Sequence, residues 1–310
     1  MTRTQPSPHR PYAGRRRALA LPVVALLASA LLAGAPPGAC ADAPALVEEV
    51  PFVVTPDAVT LAMLELAGVG PQDVLIDLGS GDGRIVINAA KRFGARGLGV
   101  EIVPDLVARS RAAAARAGVA DRVRFEQQDL FDTDLAQASV ITMYLLQEVN
   151  LRLRPRLLAL APGTRIVSHD WDLGDWVPDR TRSVDAPDKP VGREKLSRLH
   201  LWVVPARLQG LWCAAGGAGG VALQIDQRYQ ALQGSLTLGD SRWMLAGRID
   251  GAAWQAQGAG GAALQARWQG AAAAASDRGE LLVAQAAGPW AALQGARLRP
   301  AAGERCESGP

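Results

Sequence analysis

One stretch of the chain restricts its fold more than any other: Val74-Leu75-Ile76-Asp77-Leu78-Gly79-Ser80-Gly81-Asp82-Gly83-Arg84. A short apolar run leads into glycines at alternate positions, and the chain beyond Arg84 takes up helical spacing. Glycine has no Cβ, so such a backbone turns tightly and can approach a ligand closely. A buried strand passing through such a turn into a helix opens a βαβ unit. Units of this kind build parallel sheets covered on both faces.

The alternation runs from Leu46 to about Arg207. Thr55-Pro56 opens a helix that reaches Leu66, with Val59, Ala62, Met63 and Leu66 at helical spacing and Gly68 as its stop. Strands are expected at 74–78, 97–101, 123–127, 139–145 and 164–169. Helices are expected at about 84–93, 104–117 and 148–160, the last interrupted near Pro155. His200–Pro205 reads as a last strand. Beyond Arg207 no Pro occurs between Pro205 and Pro289, and Trp212, Trp243, Trp254, Trp268 and Trp290 fall here. Short alternating runs such as Ala222–Asp226 and Gly234–Leu238, separated by Gly, predict an antiparallel meander. Trp at sheet spacing is expected in its core. Ala271–Ala275 is ambiguous, since Ala favours helix. The reading is therefore an α/β domain over 42–206, a smaller β-rich domain over 207–300 and a tail at 301–310.

The glycine turn has the spacing Gly-x-Gly-x-Gly, and Arg84 occupies the last glycine position of the dinucleotide fingerprint. Asp77 and Asp82 flank it. Carboxylates there repel a pyrophosphate. They suit a ligand with an amino group and a sulfonium, which S-adenosylmethionine has and NAD lacks. Glu101 closes the second strand, where an acidic side chain can accept both ribose hydroxyls. Asp129 follows the third strand, placed to accept from the adenine amine, with Leu130 or Phe131 against the ring. No P-loop Gly-Lys-Ser/Thr is present. His9, His169 and His200 lack metal-ligand spacing, and Cys40, Cys213 and Cys306 are too few and scattered for a disulfide framework or a zinc site. A structural, hydrogen-bonded His169 is favoured over a general base. For Arg152, Arg154 and Arg156 a solvated helix face is the default.

This arrangement resembles the class I, seven-strand S-adenosylmethionine-dependent methyltransferases over about Pro51–Pro205. The similarity is greatest to the small protein-lysine methyltransferases that modify the c-ring protein of mitochondrial ATP synthase and the adenine nucleotide translocase, and to their bacterial relatives. It rests on Val50–Pro56, Asp77–Arg84, Gly99-Val100-Glu101, Tyr144-Leu145-Leu146, Leu153-Arg154-Pro155 and Pro162–His169. The resemblance implies a Rossmann-like seven-strand sheet, S-adenosyl-L-methionine as cofactor and transfer to a protein lysine, with a membrane protein among the candidate substrates. It places Asp77, Gly79, Ser80, Gly81, Gly83, Glu101, Asp129 and Leu130 on the cofactor, and Phe52, Thr55 and Pro56 in a segment folding over it. Tyr144 and Asn150 are the candidate catalytic residues on the acceptor side, with Gln147 and Glu148 as further polar partners. The Asn/Asp-Pro-Pro-Tyr/Phe tetrapeptide of exocyclic-amine methylation is missing after the fourth strand.

The charge needs locating. The chain carries 33 basic and 30 acidic residues. Residues 1–41 hold five Arg and no acid, leaving 28 basic against 30 acidic beyond them. That balance disfavours a nucleic-acid partner. Basic residues at 10–17, the apolar run Ala18–Ala35 and Ala39-Cys40-Ala41 describe a signal peptide, or an uncleaved membrane anchor. The expected location is the periplasm or a membrane tether, the cytoplasmic face being reached only if the leader is uncleaved. The competing functional reading is an exported binding protein whose methyltransferase-like domain is catalytically silent.

Overall fold

The computed structural model of the chain describes residues 51–192, 194–214, 220–270, 279–301, 303, 305 and 306. The leader and the Ala271–Ala275 run lie outside the described residues. The α/β part comprises α1 (Asp57–Ala67), β1 (Val74–Leu78), α2 (Arg84–Phe93), β2 (Arg96–Glu101), α3 (Pro104–Ala117), β3 (Val123–Gln127), β4 (Val140–Met143), α4 (Gln147–Leu157), β5 (Arg165–His169), β6 (Arg180–Asp185) and β7 (Leu196–Val203). Helices α1, α2 and α3 end on left-handed Gly68, Gly94 and Gly118, whose N–H groups close the last turn. Pro56 precedes α1 as its cap residue rather than opening the helix. Helix α4 runs through Pro155 without interruption, the proline falling in its last turn.

The strands form one sheet in the order β3-β2-β1-β4-β5-β7-β6. Strands β1 to β5 run parallel, and β7 pairs antiparallel with both β5 and β6. Period-two alternation sorts the side chains. Leu75, Val140 and Val167 pack with α1, α2 and α3 on one face. Ile76, Leu78, Ile141, Met143 and Ile166 pack with Val149, Leu153 and Leu157 of α4 on the other. The terminal hairpin departs from expectation. Strand β7 begins at Leu196 rather than His200, and β6 has no counterpart among the strands expected from the sequence. Almost every position of β6 is exposed, as suits a polar sheet edge, so it carries no apolar run to find.

The remainder forms β8 (Gly210–Ala214), β9 (Val221–Arg228), β10 (Ala231–Leu238), β11 (Ser241–Asp250), β12 (Ala253–Gly258), β13 (Ala263–Gln269), β14 (Glu280–Ala287) and β15 (Arg297–Pro300). They close as an antiparallel barrel in which each strand follows its predecessor and β15 returns to β8. Its interior holds Trp212, Leu223, Ile225, Leu236, Ile249, Trp254, Leu264, Val283 and Trp290, while Trp243 and Trp268 are partly buried. One expectation is overturned: Cys213 and Cys306 form a disulfide, with Cα atoms 5.5 Å apart. Barrel closure brings the pair together. Arg299 of β15 faces Cys213 of β8, and Ala301 N–H donates to Leu211 O, so the chain beyond β15 continues back along β8.

The barrel packs on the sheet through the segment after β5. Trp176, fully buried, donates its indole N–H to Gln230 Oε1 at 3.0 Å, and its ring stacks on Tyr229. The Trp202 indole donates to Trp176 O, and Arg248 pairs with Asp179. Gly251 lies where a Cβ would come within 3.1 Å of the Gly163 Cα.

Candidate active site

A cleft opens at the carboxyl ends of β1, β2, β3 and β4, where the strand order reverses beside β1. Its lining includes Phe52, Thr55, Asp77, Gly79, Ser80, Gly81, Glu101, Asp129, Leu130, Phe131 and Tyr144. The structure thus brings most of the sequence-predicted residues to one cavity.

Asp77 is buried on β1, and its Oδ1 accepts the Thr142 hydroxyl of β4 at 2.7 Å. Its Oδ2 has no protein partner. Burial pushes this carboxyl up to about 7, against the Thr142 bond; the charges of Glu101 and Asp82 push in the same direction as burial. A buried carboxylate oxygen without a donor, in a cleft, fits a cationic ammonium.

The glycine turn is held from below. Gly79 and Ser80 both donate N–H to Val100 O at 2.9 Å. Gly81 donates to Glu101 Oε2 at 2.8 Å, while Glu101 Oε1 accepts the N–H groups of Ile102 and Val103. Glu101 therefore braces the turn as well as facing the cavity, a duty that its position at a strand end does not announce. Gly81 and Gly83 have positive φ, and a Cβ at either would collide, at 81 with the Phe52 ring (2.2 Å) and at 83 with the Phe125 ring (2.7 Å). Gly83 lies beneath the turn and is absent from the cavity lining.

Phe52 roofs the turn. Its segment is tied down by Arg84, whose Nη1 donates to Thr55 O at 2.8 Å while Nε and Nη2 grip Asp82. Asp82, expected to face a cation, is thus engaged by Arg84. Pro56 does not line the cavity; its carbonyl accepts the Thr60 N–H at the start of α1.

On the adenine side expected from the sequence, Asp129 Oδ1 accepts the Phe131 N–H at 2.8 Å, closing a local turn. Arg156 of α4 clamps this loop from outside, its guanidinium donating to the carbonyls of Leu130, Phe131 and Thr133. Arg152 stacks its guanidinium 4.0 Å from the Phe131 ring centroid. Arg154 pairs with Asp175 and donates to Leu173 O. Arg154 and Arg156 are thus structural ties, whereas Arg152 is exposed, as expected of a solvated face. Spacing alone gave no signal for these two ties, since most of their acceptors are backbone carbonyls brought near only by the fold.

Tyr144 lies beyond β4, half-buried, with its ring stacked on His169 at 3.8 Å. Burial, followed by the negative charge and hydrogen bond of Asp170, pushes its phenol up to about 12, so it is neutral over ordinary pH. His169 is fully buried, with Nε2 2.8 Å from Ser197 Oγ. Burial pushes its imidazole down to about 4 in spite of Asp170, giving a neutral ring in a structural position. Asn150 departs from the acceptor role expected of it. It is buried outside the cavity lining, and its amide binds Ser168 Oγ and the carbonyls of Trp171 and Asp172. Gln147 donates to Asp172 Oδ1, and Glu148 is exposed. Among the described residues no cluster of His, Cys, Asp and Glu is arranged to hold a metal.

Residues 77–180 match the family model described as the ANTKMT methyltransferase domain. A protein-lysine N-methyltransferase of Saccharolobus islandicus is 41% identical over 141 residues, spanning 45% of this chain and 88% of that protein. The adenine nucleotide translocase lysine N-methyltransferase of Mus musculus is 39% identical over 106 residues, 34% of this chain and 46% of that one. A solved RNA methyltransferase from Salinibacter ruber, in complex with S-adenosyl-L-homocysteine, is 51% identical, covers 50% of this chain and 96% of its own, and superposes with a TM-score of 0.46.

Proposed function

Because the chain belongs to the class I S-adenosylmethionine-dependent methyltransferases, in the protein-lysine N-methyltransferase family of its archaeal relative, we propose that it methylates the ε-amine of a lysine in a protein. The cofactor is S-adenosyl-L-methionine, which supplies a methyl group already activated on a sulfonium. The observation that carries the proposal is the unpartnered, buried Asp77 Oδ2 beside a glycine turn roofed by Phe52.

The chain's own residues then have separable tasks. Asp77 holds the ammonium of the cofactor's amino-acid end, and Glu101 and Asp129 face its nucleoside end. Phe52 and Thr55 exclude water above the turn. In-line displacement needs position more than acid–base chemistry, so a rigid cleft supplies most of the effect. The acceptor amine must arrive neutral, and a desolvated mouth lowers a lysine's pKa. Neutral Tyr144 lines that mouth without adding a charge.

Exposed Phe52, Leu146 and Trp171 lie in segments bordering the cleft and support an apolar protein acceptor, membrane proteins included. We also place the protein outside the cytosol or on a membrane tether. The basic–apolar leader supports this, as does the Cys213–Cys306 disulfide, a bond that persists in oxidising compartments.

Incubating the purified full chain with radiolabelled S-adenosyl-L-methionine and poly-L-lysine tests the reaction. Label recovered as methyl-lysine after hydrolysis supports it. Tight cofactor binding without methyl-lysine, in this assay and in cell extract, would overturn the lysine assignment. N-terminal mass spectrometry after cell fractionation tests the location.

A further inference from the structure

We propose that Asp170, fixed by Lys189, is the positioning residue for Tyr144 on the acceptor side of the cleft. The inference rests on the methyl-transfer reading of that cleft and adds to it a residue that touches neither cofactor nor acceptor.

Asp170 follows β5 directly and has a left-handed backbone, φ 65°, uncommon for a residue with a side chain. Both halves of the residue are tied. Its N–H donates to Arg198 O at 2.7 Å, and its Oδ1 accepts the Arg198 N–H at 3.0 Å. Its Oδ2 meets three groups: the Lys189 Nζ at 2.7 Å, the Tyr144 hydroxyl at 3.4 Å and His169 Nε2 at 3.5 Å. Lys189 is buried, which is rare for lysine, and its ammonium also donates to Leu196 O at 2.7 Å. The carboxylate is therefore immobile before any substrate arrives.

The consequence falls on Tyr144. Stacking on His169 fixes its ring, leaving the hydroxyl torsion to be set. Asp170 accepts the hydrogen bond that the phenol donates, so the oxygen lone pairs face away from Asp170 and toward an incoming amine N–H. The alignment of that amine with the methyl group follows. Lys189 cancels the charge of Asp170, so the acceptor side does not trap a lysine in its protonated form. The other charged or titratable groups around Tyr144 are His169 behind its ring and Asp77, Asp82 with its partner Arg84, Glu101 and Asp129 across the cleft.

The test is acceptor-independent. The full chain contains three tyrosines, Tyr12, Tyr144 and Tyr229, and can be labelled with 3-fluorotyrosine. Fluorination brings the phenol's titration down into a range that the fold tolerates, and Tyr144→Phe assigns its ¹⁹F resonance. Asp170→Asn is expected to shift the Tyr144 resonance and lower its titration midpoint. Lys189→Met is expected to raise the midpoint, because an uncompensated carboxylate then faces the phenol. The Tyr229 resonance stays in place in both. An unchanged Tyr144 midpoint in a folded Asp170→Asn protein overturns the proposal. With poly-L-lysine as acceptor, Asp170→Asn should lower kcat about tenfold while cofactor KM stays within about twofold. Adding Tyr144→Phe should cost nothing more; multiplying losses would also overturn the proposal. If the parent chain leaves poly-L-lysine unlabelled, the lysine assignment weakens, while the ¹⁹F titration still decides the role of Asp170.

Discussion

Thr142 on β4 donates its hydroxyl to one oxygen of Asp77 on β1 and leaves the other facing the cleft alone. The hydrogen bond favours the ionised carboxyl, burial opposes it more strongly, and the free group titrates near 7. An ammonium at Oδ2 would settle the balance toward the anion.

Cofactor affinity should therefore depend on pH. Below about 7 Asp77 is protonated in the free protein and must lose its proton on binding. Affinity is expected to fall by up to about tenfold per pH unit below that point. Calorimetry in buffers of different ionisation heat should detect the released proton. In the free protein the sign is reversed. The folded-state value lies above the unfolded one, so the folded state holds the extra proton and stability declines as pH rises from about 4 to about 7. Asp77→Asn should remove both dependences and weaken binding roughly 10- to 100-fold, the loss of a charged hydrogen bond.

Gly81→Ala should impair the roof of the site. The substitution forces a Cβ into a left-handed backbone and into the Phe52 ring. Such a conformation costs about 1–2 kcal/mol before any collision is counted. Affinity for S-adenosylhomocysteine is expected to drop at least about tenfold. Phe52→Ala in the same chain should recover the collision but not the backbone strain, a split that calorimetry resolves.

Arg156→Ala should loosen the nucleoside side without touching Asp77. Three carbonyls of the 130–133 loop lose their shared donor. Cofactor affinity should fall about tenfold, and Arg156→Lys should not restore it, because an ammonium lacks the planar fork that spans separate acceptors. Adenosine competition should show the defect, whereas methionine competition should not.

Reducing the Cys213–Cys306 bond should destabilise the barrel. It closes a loop with a sequence separation of 93, and such cross-links contribute about 2–4 kcal/mol. Denaturant melts of Cys306→Ser should show that loss, with cofactor affinity retained.

Much of the α/β part was legible because local signals and tertiary demands coincide there. Helix α3 spans the predicted 104–117, between Pro104 and Gly118, and β1 spans the predicted 74–78. The meander was legible as alternation, but its closure was not. Pairing β15 with β8 is a long-range event that leaves no local pattern, and the disulfide depends on it. At the site, residue types near glycine indicated the ligand, and Asp77 lies in the cleft as read. Asn150 misled because polarity in the first turn of the helix after β4 does not distinguish an acceptor contact from a buried tie to backbone carbonyls. Asp170 and Lys189 escaped notice as a pair because β6 and β7 had first to fold the chain back on itself.

The Trp176 indole looks to Gln230 for its acceptor and to Tyr229 for its stacking partner. A chain cut after Ala206 would leave that indole bare, with Asp179 deprived of Arg248 and Asp175 left with Arg154 but without Arg228. The boundary readable in the composition is thus not a line along which the protein comes apart. An α/β half made alone should be sticky and poorly soluble, because the face that the barrel covers would meet water.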